Sequence, residues 1–271
     1  MAKLVISSER ERAVKLRRYA IPSLVSAFDV LRYLSDKRHS EATLAQISTA
    51  LNLNRSTTYR VLATFETLDI VEHDLQGRVY RLGPELAVLG ARAVVLNNFF
   101  KQAETVINRA AEITRNTTLL VQRVGTDKMA YTLKAEPDGT LHLGATVGQV
   151  LPVTAGSHGK VFLAYMSSEE RDKLLAEHGY PASTSYTIRD SDALLRELEK
   201  VRAIGMGISW QEHVVGVCGV AVPIFRTDSE NVKACISTVA MSEVTPPEQL
   251  AEWGRQIQSL ILAENLGGKE P

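Results

Sequence analysis

Apolar residues recur at helical spacing near the start of the chain and set the first elements. Leu24, Phe28, Leu31 and Leu34 form one stripe, predicting a helix over 22–35 with Pro22 at its start. Leu44, Ile47 and Leu51 predict a second helix, and Val61, Leu62, Phe65 and Leu68 a third. Asn54 is a suitable N-cap for the third, followed by Arg55, Ser56, Thr57 and Thr58. Residues 70–83, IVEHDLQGRVYRLG, then read as a hairpin. Ile70–His73 and Arg78–Leu82 are its strands, and Asp74-Leu75-Gln76-Gly77 is a turn with Asp first and Gly last, as a type I turn favours. Helix, helix, helix and two-stranded wing, in that order, is the winged helix-turn-helix plan.

The pattern then changes. Residues 84–97, PELAVLGARAVVLN, predict a mostly apolar helix opened by Pro84, too hydrophobic to remain in water. A further helix is expected over 98–115, with Phe100, Ala103, Val106, Ile107 and Ala110 inward. Strand-like runs follow at 118–124, 128–135 and 140–143, and helices at 157–166, 168–178 and 190–204. The apolar runs 215–225 and 232–240 look like the centre of a sheet, and a helix over 247–265 closes the chain. This order predicts an α+β domain with an antiparallel sheet.

With its apolar stripe inward, the third helix presents Ser56, Tyr59, Arg60, Ala63 and Thr64 on its other face. That face lacks the Glu/Lys pairs usual on a solvated helix. It suits a DNA major groove, where small hydroxyls and Arg meet phosphates and base edges. The candidate DNA contacts are Thr43, Arg55, Ser56, Thr57, Tyr59, Arg60 and Thr64, with Arg78 on the wing. The plainer reading is a helical hairpin with a polar face.

Charge favours the first reading. Net charge is zero, but residues 1–84 carry thirteen Lys/Arg against nine Asp/Glu, while 85–271 carry eighteen against twenty-two. The positive part contains the DNA motif. Residues 1–20 alone hold six Lys/Arg and two acids, and read as a flexible basic arm. A length of 271 residues allows two domains with separate cores. No run of eighteen apolar residues and no secretion signal is present, so a cytoplasmic protein without membrane contact is expected. Cys218 and Cys235 make no disulfide framework and sit in apolar runs as small core residues.

The chain resembles the IclR family of bacterial transcription regulators over about residues 20–265. The matching text is LAQISTALNLNRSTTYRVLATFETLDIVEHDLQGRVYRLG, then GQVLPVTAGSHGKVFLAYMS, RAIGMGISWQEHVVGVCGVAVPIF and VKACISTVAMS. The resemblance implies a winged-helix DNA-binding domain (21–83), a linker helix (84–97) and a GAF-like effector-binding domain (98–271). It also implies homodimers, often paired into tetramers, acting on double-stranded operator DNA.

The family's effector pocket maps onto Leu151, Ser157, His158 and Gly159; Trp210, Cys218 and Gly219; and Ser237 and Val239. Members that bind small 2-oxo acids use backbone amides, an acid, a cysteine and two serines. Here Trp210 stands at the acid's place, Gly219 at the cysteine's and Val239 at the second serine's, while Ser237 remains. Fewer polar partners and an aromatic wall point to a larger organic acid, such as an aromatic one. The alternative is that Trp210 and Val239 only pack the core.

Three other motifs carry less. GSHGK at 156–160 lacks phosphate-loop spacing and has Val161 in place of Ser/Thr. His158, His213 and Cys218 match no common zinc spacing, so no metal or other cofactor is expected. Glu212-His213 has no nucleophile motif beside it. The sequence thus predicts a regulator of a catabolic operon, not an enzyme. A metabolic enzyme with an appended DNA-binding module and a ligand-free architectural protein are the alternatives.

Overall fold

The computed structural model describes residues 19–138, 143–179, 183–225 and 232–267. It divides into two compact units, Met1–Asn97 and Asn98–Pro271. The strand expected at 140–143 and the basic arm at 1–20 fall almost entirely outside the described residues.

The first unit contains α1 (Pro22–Ser35), α2 (Leu44–Ala50), α3 (Arg55–Thr67), β1 (Val71–Asp74), β2 (Val79–Leu82) and α4 (Pro84–Val95). Local chemistry starts each recognition-motif helix. Thr43 and Gln46 form a reciprocal capping box at α2, and the Asn54 side chain accepts from Thr57 N at 2.7 Å at α3. The hairpin is shifted from its expected bounds: Asp74 itself pairs with Val79, and its carboxylate accepts from Gln76 N at 2.9 Å. Tyr80 then exchanges backbone bonds with Ala42, tying the wing to the segment before α2.

Val30, Leu34, Ala42, Ile47, Leu62, Val71 and Tyr80 make this unit's core. The inner stripe of α1 differs from the expected one. Ala27, Val30 and Leu34 face inward, while Leu24 and Phe28 are exposed, Phe28 by 61%. The smaller Ala27 and Val30 turn the helix so that the bulkier pair lies outside. Leu68 is likewise exposed, whereas Thr58 is buried on α3 with its hydroxyl donating to Asn54 O at 3.1 Å. In α4 no residue is buried. Gly83 joins wing to α4, and a Cβ there would lie 2.3 Å from Asp69 O, so only glycine fits.

The second unit is one antiparallel sheet between two helical layers. Its elements are α5 (Asn98–Thr114), β3 (Thr117–Val124), β4 (Lys128–Ala135), β5 (Val150–Pro152), α6 (Gly156–Tyr165), α7 (Ser168–His178), α8 (Ser191–Ile204), β6 (Gly207–Trp210), β7 (Val217–Phe225), β8 (Val232–Met241) and α9 (Pro247–Ala263). Strand order is β5-β4-β3-β8-β7-β6, every neighbour antiparallel. β5 and β6 are too short to show alternation in the sequence.

Period two assigns the faces. Ala234, Ile236 and Ala240 of β8 meet α5 and α9 through Val106, Ile107, Leu250 and Ile257. Cys235 and Val239 of the same strand meet the other layer, with Val161, Leu163, Leu194 and Leu198 of α6 and α8. Ser237 shares their face, opposite Leu119 and Ala221.

Candidate functional site

The outer face of α3 is open. Arg55, Ser56, Tyr59, Arg60 and Thr64 are exposed, and Thr57 and Ala63 partly so. Tyr59 is 58% exposed, unusual for an aromatic ring with no covering partner in its own unit. Among the described residues, Arg55, Arg60 and Arg78 make no ion pair. Arg81, also on the wing, is different: its guanidinium donates to Glu72 Oε2 at 2.7 Å and lies 3.8 Å from Glu41, so its charge is neutralised. Arg78 sits at the wing tip in left-handed backbone (φ 51).

The hydroxyls are more committed than the cations. Ser56 donates to Asn54 Oδ1 at 2.9 Å, and Thr64 donates to Arg60 O at 2.7 Å. Thr43 is occupied in its capping box. Phosphate oxygens only accept, so these three can reach a phosphate only by releasing an internal bond, while their lone pairs stay available to base amino groups. The three unpaired arginines are the groups suited to phosphate or guanine.

In the second unit α6 starts beneath the sheet. Its N-cap Ala155 has no side chain to cap the helix. First-turn amides of such a helix lack intrahelical partners. Ser157 is buried, with its Oγ 3.4 Å from Ser237 Oγ on β8. A Cβ at Gly219 on β7 would lie 3.5 Å from Ser157 Oγ and 3.4 Å from Val239 Cγ1. Four expected residues therefore converge: Ser157, Gly219, Ser237 and Val239. Leu151 packs on the same side of the sheet. Gly159 serves packing, since a Cβ there would lie 2.4 Å from the Thr154 carbonyl carbon.

Trp210 and Cys218 do not join them. They pair across β6–β7, and both pack into the α5/α9 core on the opposite face. The expectation that Trp210 walls the pocket is corrected by strand alternation: Ser209, one residue earlier, turns to the α6 face opposite Gly219 and is buried. Ser209 is a site candidate that sequence reading missed by one register step.

Two histidines complete the site. His158 is only 4% exposed, and neither ring nitrogen has a partner. Burial, with His213 nearby, pushes its pKa down to about 3. Its ring meets Tyr131 edge-on, centroids 5.8 Å apart. Burial also lowers His213, whose Nδ1 is unpaired. Sequence reading also missed the framework below them. Lys160 Nζ, nearly buried, donates to Glu212 at 2.7 Å, Glu197 at 3.0 Å and Ile208 O at 2.7 Å. Thr184 and Thr187 donate to the Gln211 and Glu212 carbonyls at 2.7 and 2.6 Å. These bonds hold the 211–213 loop over the start of α6. A separate small cleft lined by Val222, Phe225, Ile261, Leu262 and Leu266 lies by α9, but Gln258, its one polar side chain, is spent on Ile204 O and Gly205 O.

Comparison with known proteins decides what these two units are. Residues 23–75 match the IclR helix-turn-helix domain, and residues 91–261 match the bacterial transcriptional regulator IclR C-terminal domain. The chain belongs to the IclR family. It is similar to the HTH-type transcriptional regulator KdgR of Escherichia coli (strain K12), 29% identical over 76% of this chain and 77% of that one. The regulator XynR of the same strain is 28% identical over 90% and 95%. Among solved structures, an IclR transcriptional regulator from Alicyclobacillus acidocaldarius superposes with a TM-score of 0.85 at 32% identity, covering 93% of this chain and all of that one. An IclR homolog from Microbacterium hydrocarbonoxydans, solved with 4-hydroxybenzoate, shares the fold (TM-score 0.73, 24% identity, 89% and 98% covered).

The protein is thus a DNA-binding transcriptional regulator, as its relatives are, and not an enzyme. As an IclR-family regulator it places the helix-turn-helix in the first unit and the effector-binding fold in the second. Burial raises the Cys218 thiol to about 11 and Cys235 further, so neither offers a thiolate near neutral pH. Among the described residues no cluster of three metal-ligating side chains occurs, and no helix is long and apolar enough to cross a membrane.

Proposed function

We propose that this regulator controls a catabolic operon in the bacterial cytoplasm through a small organic acid bound between α6, β6, β7 and β8. Residues 21–83 bind the operator, 84–97 link, and 98–271 bind the effector. The observation that carries the effector site is the meeting of buried Ser157, Ser209, Gly219, Ser237 and His158 at the uncapped start of α6. Helix amides and serine hydroxyls suit a carboxylate, and the Tyr131 ring and Val239 suit an apolar body. The 4-hydroxybenzoate held by the Microbacterium homolog makes an aromatic acid the first class to test.

On the DNA side, Arg55, Arg60 and Arg78 supply the charge and Tyr59 the groove-facing ring. Val88, Leu89, Val95 and Leu96 of the α4 region, with Leu24, Val25 and Phe28 of α1, are exposed apolar residues that a second copy would cover. Two-fold symmetry then requires inverted half-sites. The test is a gel-shift titration of operator DNA with 4-hydroxybenzoate, benzoate and pyruvate. Operator affinity should move with at least one acid, and Ser157→Ala with Ser237→Ala should blunt the response. Indifference to all three would count against an organic-acid effector.

A further inference from the structure

Three ring nitrogens lie buried without a hydrogen-bond partner at one place: His158 Nδ1 and Nε2, and His213 Nδ1. Both side chains flank Gly156, the first residue of α6. A Cβ there would lie 3.5 Å from His158 Cε1, 3.7 Å from His158 Nε2 and 3.9 Å from His213 Cβ. Buried polar atoms are nearly always paired, so three orphans beside an uncapped helix start mark a place for a polar ligand.

We propose that the effector's carboxylate enters this site together with a proton taken up by His158. This rests on the effector site proposed above. The surrounding charges supply the reason. From α6 comes Lys160, from α8 Glu197 with Lys200 3.6 Å from its other oxygen, and from the 211–213 loop Glu212: two cations, both paired, and two carboxylates. From β4 comes the Tyr131 hydroxyl, pushed up to about 12 by burial, and from β8 the buried Cys235 thiol, both neutral near pH 7. His213 is held neutral by burial as well. An arriving anion therefore meets no net positive charge, and both nearby cations are already paired with carboxylates. A buried carboxylate needs a partner charge. Protonated His158 supplies one, with two N–H donors. The proton comes from hydronium or buffer acid in the solvent, whose bond to it breaks as the second N–H of His158 forms, and no bond of the effector changes.

Linkage sets the measurable consequence. His158 binds its proton weakly in the free protein and tightly beside a carboxylate. Between those two conditions each bound acid takes up one proton, and Kd rises tenfold per pH unit.

Isothermal titration of the full-length protein with 4-hydroxybenzoate, benzoate and pyruvate, in PIPES and in Tris at pH 7, counts the protons through the buffers' different ionisation heats. The expected count is close to one per acid bound, with affinity falling about tenfold per unit from pH 6 to 8. ¹⁵N histidine spectra should show His158 passing from neutral to doubly protonated at saturation. His158→Gln keeps a neutral donor and acceptor. It should bind more weakly, with no proton uptake and a flat pH profile. Binding that is lost in Ser157→Ala but carries no proton overturns this inference and leaves the effector site standing. Uptake that persists in His158→Gln also overturns it. Failure of all three acids to bind overturns the organic-acid site and this inference with it. Should His158→Gln unfold, the spectra of the unaltered protein decide alone.

Discussion

A histidine buried without partners makes this domain sensitive to acid. The pKa of His158 is depressed from the ordinary 6.5 to about 3. The unfolded chain therefore binds this proton more readily than the folded one between those values. Stability is full above pH 6.5 and falls as pH drops below it, by about 2 kcal/mol at pH 5 from this group. Urea unfolding of the second unit at pH 7.5 and 5 should reveal that loss, and His158→Gln should remove it. A variant that keeps the full acid slope would place the sensitivity elsewhere. At the same scale, Arg60→Ala should weaken operator binding by about 1–3 kcal/mol if the side chain reads guanine, and relax preference at one base pair. Arg81→Ala should cost less, because its guanidinium is already neutralised by Glu72 and Glu41. Equal losses from the two variants in a gel shift would contradict that ranking. Ser157 and Ser237 entered as candidates only through the family resemblance, one position at a time, and not from any local pattern. The pairing state of Arg81 was not legible, since its partners come from β1 and from before α2.

Elements were legible wherever their period was long. The helices of the first unit and β3, β4, β7 and β8 each carry enough apolar positions to show a repeat, and the wing announces itself through its Asp–Gly turn. β6, four residues beginning with glycine, carries too few. That gap matters for function, because β6 decides whether Ser209 or Trp210 faces α6. A single register step reverses every side chain. The tie between α6, α8 and the 211–213 loop was equally hidden, since Lys160, Glu197 and Glu212 are far apart in sequence. It makes a prediction about the elements themselves. Burial raises the Glu197 pKa, but the charges and hydrogen bonds of Lys160 and, to a lesser degree, Lys200 outweigh it, and the net shift is downward. Its contribution to stability is thus present above the ordinary carboxylate range and lost as pH falls through the lowered value. Lys160→Met leaves Glu212 without its cation and Glu197 with only the exposed Lys200 at 3.6 Å, and should cost about 3–5 kcal/mol at pH 7. The deficit relative to the unaltered protein should shrink at pH 4, where the two carboxylates can protonate. A deficit independent of pH in urea titrations would mean that lost packing, not lost charge, is responsible.

At the scale of the whole molecule, the two units answer different questions. The second unit buries both faces of its sheet under helices, although residues such as Val215 and Val244 stay exposed, whereas the first leaves apolar faces of two helices open. On α1 the sequence stripe through Leu24 and Phe28 is real, but the core uses Ala27 and Val30 instead, and α4 buries nothing. The sequence pattern thus held two hydrophobic faces superimposed, one for the core and one left outside, and periodicity alone could not separate them. A surplus of this kind within a small DNA-binding unit is what a two-fold partner removes. The resulting dimer would present two copies of α3 to successive major-groove faces of an inverted repeat. An effector can regulate such a dimer only by favouring one spacing of the two helices over another. Leu89→Asp and Phe28→Asp each place a charge on exposed surface of a single copy, so the fold of either unit should be kept. Sedimentation at micromolar concentration should show the unaltered protein at or above the dimer mass and the paired variant shifted toward monomer. Its operator affinity should fall with it, while its affinity for the effector acid, bound within one second unit, should stay the same. A double variant that remains dimeric with full operator affinity would show that these residues are not the surface that joins the copies.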